Sequence, residues 1–359
     1  MHRTRAWRWW AVALFVAVLG VLACTVGIHT DKEALKYIGC AEQLLQGDVH
    51  DLFGNYAKYG SYILFITPFI VVGLPLFAVV AQLVLAVFAA QALGRIAQRI
   101  TGSTLAADIA FVFALFCFPL QQWVLALYTE SFFASVSVIF LERITRPGRA
   151  DTLTWVLALI VLFARPVGLL FVGPAAIWKL VDTGSIHVPM WLRNTGYGMI
   201  LLVAICIPGI ARDQMAPIVE AHVICGFPER PGAMQDFEGS TVLAAQCHIY
   251  THNGLGYTLG LFVRRVVSLF TLPRDYFSGI LNAFLTGHYA LFLLAAWGWW
   301  FWRKHLVVGL LCAIFLLNVL LVGLTHDEWS ERFLVPMWPI VLLFAAFGTA
   351  LIHEKKLAG

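Results

Sequence analysis

Charge is what this chain has least of. Only 12% of its 359 residues are Asp, Glu, Lys or Arg, against 60% apolar. That balance excludes a soluble globular domain and equally a disordered, charge-rich chain. Catalytic signatures of the soluble world are missing too. There is no CxxC pair, no HExxH and no glycine-rich phosphate loop, so a zinc hydrolase, a thiol redox module and a nucleotide-binding domain are all excluded as readings. Seven cysteines are present but scattered. Cys24, Cys117, Cys206 and Cys312 fall in or at apolar runs as small filler. Cys225 and Cys247 share one long polar segment, where a bridge would persist in an oxidising compartment, and they are expected to pair.

What is there in quantity is long apolar sequence. A bilayer-crossing helix needs roughly 20 mostly apolar residues, and such runs lie near 9–28, 75–98, 104–120, 126–142, 152–164, 166–181, 192–211, 279–302, 306–325 and 333–352. The expected fold is therefore all-α: one polytopic membrane domain over 1–359 with about ten transmembrane helices and amphipathic helices on its outer face. The run 60–74 carries Pro68 and Gly73. It is read as re-entrant or interfacial, within an outer loop spanning 29–74. A second, larger outer loop is expected over 212–278.

The few charges give the orientation. With the N-terminus inside, the inner segments hold Arg3, Arg5 and Arg8, then Arg95 and Arg99, then Arg143, Arg146 and Arg149, then Lys179 and Arg193, then Arg303 and Lys304, and finally Lys355 and Lys356. Every inner segment is then basic, as the positive-inside rule asks. The outer face takes most of the acids. This predicts a multi-pass protein of a bacterial inner membrane with both termini cytoplasmic. The basic start and the VLAC at 21–24 faintly resemble a lipoprotein signal, but the apolar core is longer than such signals carry, so an uncleaved helix is expected.

Four features meet on the outer face. Asp31 opens DKEALKYIGCAEQLL, whose apolar residues at 34, 35, 38, 41, 44 and 45 have helical spacing. Glu130, in YTESFF, heads a helix, where the dipole favours a carboxylate. Arg165, in FARPVGLLF, sits between two short spans, and ionisable groups at that depth are costly and usually functional. HDEWSERF, residues 326–333, packs polar and aromatic residues into one turn. Its His326, Asp327 and Glu328 are metal-ligand types, but consecutive placement splays them apart, so no metal site is expected. Arg264 and Arg265, amid Leu, Phe and Val, suggest a helix at the lipid surface able to meet phosphate.

These segments carry a resemblance. HTDKEALKYIGCAEQLLQGD (29–48) resembles the first outer loop of the GT-C superfamily of membrane glycosyltransferases. YTESFF, the basic RITRPGR and FARPVGLLF together resemble the PIG-V-like mannosyltransferase branch, and RFLVPMWPIVLLFAAF resembles the last span of several GT-C enzymes. The superfamily often has an Asp or a paired acid where this chain has Glu130 alone. The resemblance implies inverting transfer of a sugar, mannose favoured, from a polyprenyl-phosphate carrier to a hydroxyl of a lipid, glycan or protein acceptor. It implies Asp31 as base. Glu130, His326 and Glu328 would contact acceptor or sugar, and Arg165, Arg264, Arg265 and Arg332 the donor phosphate. It needs no nucleotide cofactor and no nucleic-acid partner, and leaves a divalent metal open. The alternative is a multi-pass transporter or flippase of a lipid-linked or small polar substrate.

Overall fold

In a computed structural model, residues 3–54, 56–182, 242–325 and 332–358 are described, together with residues 195, 198, 199 and 202. The architecture is all-helical. The helices are α1 (Arg3–Val26), α2 (Glu33–Leu45), the single turn α3 (His50–Phe53), α4 (Gly60–Val71), α5 (Pro75–Thr101), α6 (Thr104–Phe116) and the single turn α7 (Phe118–Gln121). They continue as α8 (Thr129–Ile144), α9 (Thr152–Leu162), α10 (Leu169–Asp182), α11 (Val242–Phe270), α12 (Gly279–Gly287), α13 (Tyr289–Trp302), α14 (Leu306–Thr325) and α15 (Trp338–Ala358).

Among the described residues, five stretches are long and apolar enough to cross a membrane: Ala6–Val26, Pro75–Thr101, Gly279–Trp302, Leu306–Thr325 and Val335–His353. A sixth arises if Thr104–Phe116 and Phe118–Leu125, bent by 56°, count together. The sequence expectation was about ten. Helices α8, α9 and α10, with 16, 11 and 14 residues, extend only about 16 to 24 Å at 1.5 Å per residue. That is less than the roughly 30 Å hydrocarbon core. The expected span 192–211 lies almost wholly outside the described residues. The 12-residue α4 falls short of that length too.

Helices α5, α6, α8 and α15 form the centre of the bundle. The α13–α15 crossing is closest at two glycines. A Cβ on Gly298 would stand 2.0 Å from the Phe344 carbonyl oxygen, and one on Gly348 2.2 Å from that of Leu294. Small residues let apolar helices approach where burial from water gives no drive. Helix α1 is fastened to α6 by the Arg8–Asp108 ion pair at 2.5 Å and by Trp7 edge-on to Phe111. Asp108, a charge inside an expected span, thus has a partner. Within 212–278, the described part begins with a helix, α11, rather than with loop. It bends at Gly254 (φ 77°) and packs along α14.

Candidate functional site

The site is built where the helical bundle is interrupted. The expected span 104–120 breaks at Cys117, because Pro119 has no N–H to bond the Leu115 carbonyl and its ring crowds that oxygen in a continuous helix. The chain runs through α7 and a 3₁₀ turn to an extended piece at Ala126, with Tyr128 extended too. Extended backbone needs partners, and it finds two. Gln82, fully buried on α5, donates from Nε2 to the carbonyls of Val124 (3.1 Å) and Ala126 (3.0 Å). On the other side His29 pairs in parallel with Ala126: its N–H donates to Leu125 at 2.9 Å, and its carbonyl accepts from Leu127 at 3.0 Å. The first outer loop is thereby stitched to the chain entering α8.

Glu130 follows in the first turn of α8 and is fully buried. Its Oε1 accepts from Arg332 Nε at 2.6 Å and lies 3.2 Å from Arg165 Nη1. Arg165 is 7% exposed and adopts an extended conformation before the 3₁₀ turn Pro166–Gly168. Gly168 makes that turn possible: a Cβ there would stand 2.1 Å from the Val161 carbonyl oxygen. Arg332 also stacks over the Tyr128 ring, 5.2 Å from its centroid. Burial alone would lower the proton affinity of its guanidinium. The Glu130 charge and hydrogen bond outweigh burial and hold it above the usual arginine value.

Asp31 stands at the rim, exposed, just before α2. Tyr128 ties it to the buried pair by donating its hydroxyl to the Asp31 carbonyl oxygen at 3.3 Å. Lys32 next to it has φ 49° and ψ −110°, and is the only non-glycine residue with positive φ among the described residues. Such strain costs of order 1–3 kcal/mol and gathers at functional sites. Helix α2 then buries Ala34, Tyr37, Cys40 and Ala41. This face is turned from the expected one, since Leu35 is 62% exposed. The reason is Tyr37, whose ring meets Tyr59 at 5.3 Å and Tyr62 at 5.4 Å. Tyr62 in turn packs on Phe132, two residues along α8 from Glu130.

Asp31, Glu130, Arg165 and Arg332, from four distant segments, are thus brought together. One carboxylate at the centre meets two guanidiniums, a surplus of one positive charge. Arg332 gives Glu130 its Nε, and a guanidinium has five N–H donors, so it retains donors for a second anion. Arg264 and Arg265 lie on α11, the first exposed and the second buried, whereas the ion pairs at Glu130 come from Arg165 and Arg332. His326 and Glu328 fall outside the described residues, as does Cys225 of the expected disulfide. Sequence reasoning missed Tyr128, Tyr37, Gln82 and His29. A glutamine inside an apolar run and a tyrosine two residues before a helix-opening acid were the available signals.

Comparison of the chain with protein-family models, with curated proteins and with solved structures gives no match.

Proposed function

We propose that this chain is an inverting glycosyltransferase. It moves a sugar, mannose favoured, from a polyprenyl-phosphate carrier to an acceptor hydroxyl at the outer membrane face. The observation that supports this best is an exposed Asp31 whose backbone carbonyl is held by Tyr128, the same ring that Arg332 stacks on, beside a buried Arg165 and half-buried Arg332 that outnumber Glu130 in charge. Transfer from a sugar phosphate needs those two things. A base takes the proton of the attacking hydroxyl. Fixed positive charge receives the phosphate as the bond from its oxygen to the anomeric carbon breaks. In this reading Asp31 takes the proton and the acceptor oxygen attacks the anomeric carbon from the face opposite the phosphate, inverting it. The bonding electrons leave with the phosphate, which the remaining donors of Arg332 hold in a bidentate fork. Glu130 orients both arginines rather than reacting. His326 and Glu328 are proposed as sugar contacts, and both termini as cytoplasmic.

The test is direct. Full-length protein in liposomes is given polyprenyl-phosphate mannose, and other polyprenyl-phosphate sugars, with hydroxyl acceptors. The expected result is release of polyprenyl phosphate with a sugar–acceptor product of inverted configuration. No transfer from any such donor, combined with solute movement across the same sealed vesicles, would replace this reading with the transporter.

A further inference from the structure

At the end of the bundle opposite Glu130 there is a second charged group. Glu142 is one residue short of the α8 terminal arginine, Arg143, and lies 12 residues beyond Glu130, about 18 Å along the helix axis. Its carboxylate is buried, with 2% of the side chain exposed, and meets three guanidiniums: Arg99 at 2.8 Å, Arg146 at 2.8 Å and Arg95 at 3.3 Å. Three positive charges on one carboxylate leave two in excess. Nearby Lys179 lies 3.5 Å from Asp182 and donates to the Arg146 carbonyl at 2.6 Å.

Beside this group a cleft of about 460 Å³ opens between the ends of α5, α8 and α10 and the start of α14. Its lining includes the polar Arg99, Thr145, Lys304 and His305 and the apolar Ile100, Trp178 and Leu306. Asp182 is the one acid of the wall among the described residues, and Lys179 is beside it. The 20-residue α14 begins here, so its positive dipole end adds to the field. Next to Lys304, Arg303 stacks on Trp300 at 3.5 Å, an aromatic–cation pair typical of a headgroup boundary. The volume fits a headgroup with the start of its chains, and a lining that mixes basic with large apolar side chains suits an amphiphile rather than a free ion.

We infer that this cleft binds the phosphate headgroup of an anionic diacyl phospholipid, with Arg99 and Lys304 on the phosphate and Trp178 and Leu306 along the glycerol and upper chains. Basic pockets between helices recognise such headgroups by charge. The inference is independent of the glycosyl-transfer reading, because it uses residues at the other end of the bundle and its test needs no turnover.

The experiment measures thermal unfolding of the full chain in a neutral detergent while short-chain phosphatidylglycerol is added. Phosphatidylcholine and inorganic phosphate are the comparisons. Phosphatidylglycerol is expected to raise the melting temperature saturably, and the other two to leave it unchanged. Lys304→Gln, at an exposed position, should raise the half-saturating concentration about fivefold, and Arg99→Lys should raise it while keeping the charge beside Glu142. Lys36→Gln, an exposed lysine near Asp31, should change nothing. Equal shifts with phosphatidylcholine, or equal weakening by Lys36→Gln and Lys304→Gln, would overturn the site. A shift of the same size from inorganic phosphate would overturn its assignment to a lipid.

Discussion

Glu130 is held in place by its partners and is costly without them. A buried ion pair gains little over apolar packing, but removing one member leaves a desolvated charge behind. Glu130→Gln strands Arg165 and Arg332 together, and breaking such a pair costs about 3–5 kcal/mol. We expect that loss in detergent unfolding whether or not any substrate is present. Asp31 should behave in the opposite way. Exposed at the rim, its change to Asn should leave stability intact and lower sugar transfer about 10²–10⁴-fold, the usual scale of general-base help. Glu42→Gln, on the exposed side of α2, should change transfer little. Near wild-type turnover in Asp31→Asn would remove Asp31 from the reaction. Arg332→Lys should raise the donor KM, since a point charge replaces a fork. The four charged residues were legible because charge is so scarce in this chain. The tyrosines were not, because an aromatic in a membrane chain has many reasons to be there.

Among the elements, the turn after α9 carries the most leverage for its size. Gly168 brings the chain within contact of the Val161 carbonyl, and that approach sets where Arg165 points. Gly168→Ala must push the two backbones apart. It should lower stability and transfer together, while an alanine at Gly279, where nothing lies within 4 Å of the added Cβ, should leave transfer unaffected. A second element, the 3₁₀ turn Ala57–Tyr59, should give a pH signature. Burial, with the Lys36 charge adding to it, pulls Lys58 down to about 8. Its unfolded value is near 10.4, so between those two the unfolded chain binds more protons and stability rises with pH. The melting temperature should climb across that window, and Lys58→Met should flatten the climb. Element type was legible along the apolar runs, since runs of this length have one solution in lipid, but not over Val242–Phe270, read as outer loop except around Arg264 and Arg265 and folded as helix. The breaks were not. Pro119 announced one, but the extended piece it releases depends on Gln82 and His29, which no local pattern joins to it.

For the whole molecule, the two ends differ in sign of purpose: a recessed acid with two arginines at one, an arginine-rich cleft at the other. If the positive-inside reading holds, the Glu142 end faces the cytoplasm. After Cys24, Cys225 and Cys247 are replaced, Pro147→Cys should label only from inside, and a cysteine at Lys36 only from outside. Labelling of position 147 from outside would reverse the orientation. The expected count of about ten spans was the least legible quantity, because hydropathy counts apolar residues and not path length. Helices α8, α9 and α10 are apolar enough to read as spans yet too short to be simple ones. Of the three, α8 is packed interior, buried on nearly every side, whereas α9 leaves Leu153, Trp155, Val156 and Leu159 exposed.

The bond between Arg332 and Glu130 also sets a clock. Its partners are 202 residues apart, and ribosomes add roughly 5–20 residues per second. Glu130 therefore enters the membrane about 10–40 s before Arg332 is made, with Arg165 its only arginine partner in the meantime. A nascent chain stalled at the end of α14 should hold Glu130 and Arg165 as a charge-balanced pair that still lacks the Arg332 hydrogen bond. Stalled chains bearing Glu130→Gln should be cleared faster than those with Glu130, because Arg165 is then left buried without its counter-charge.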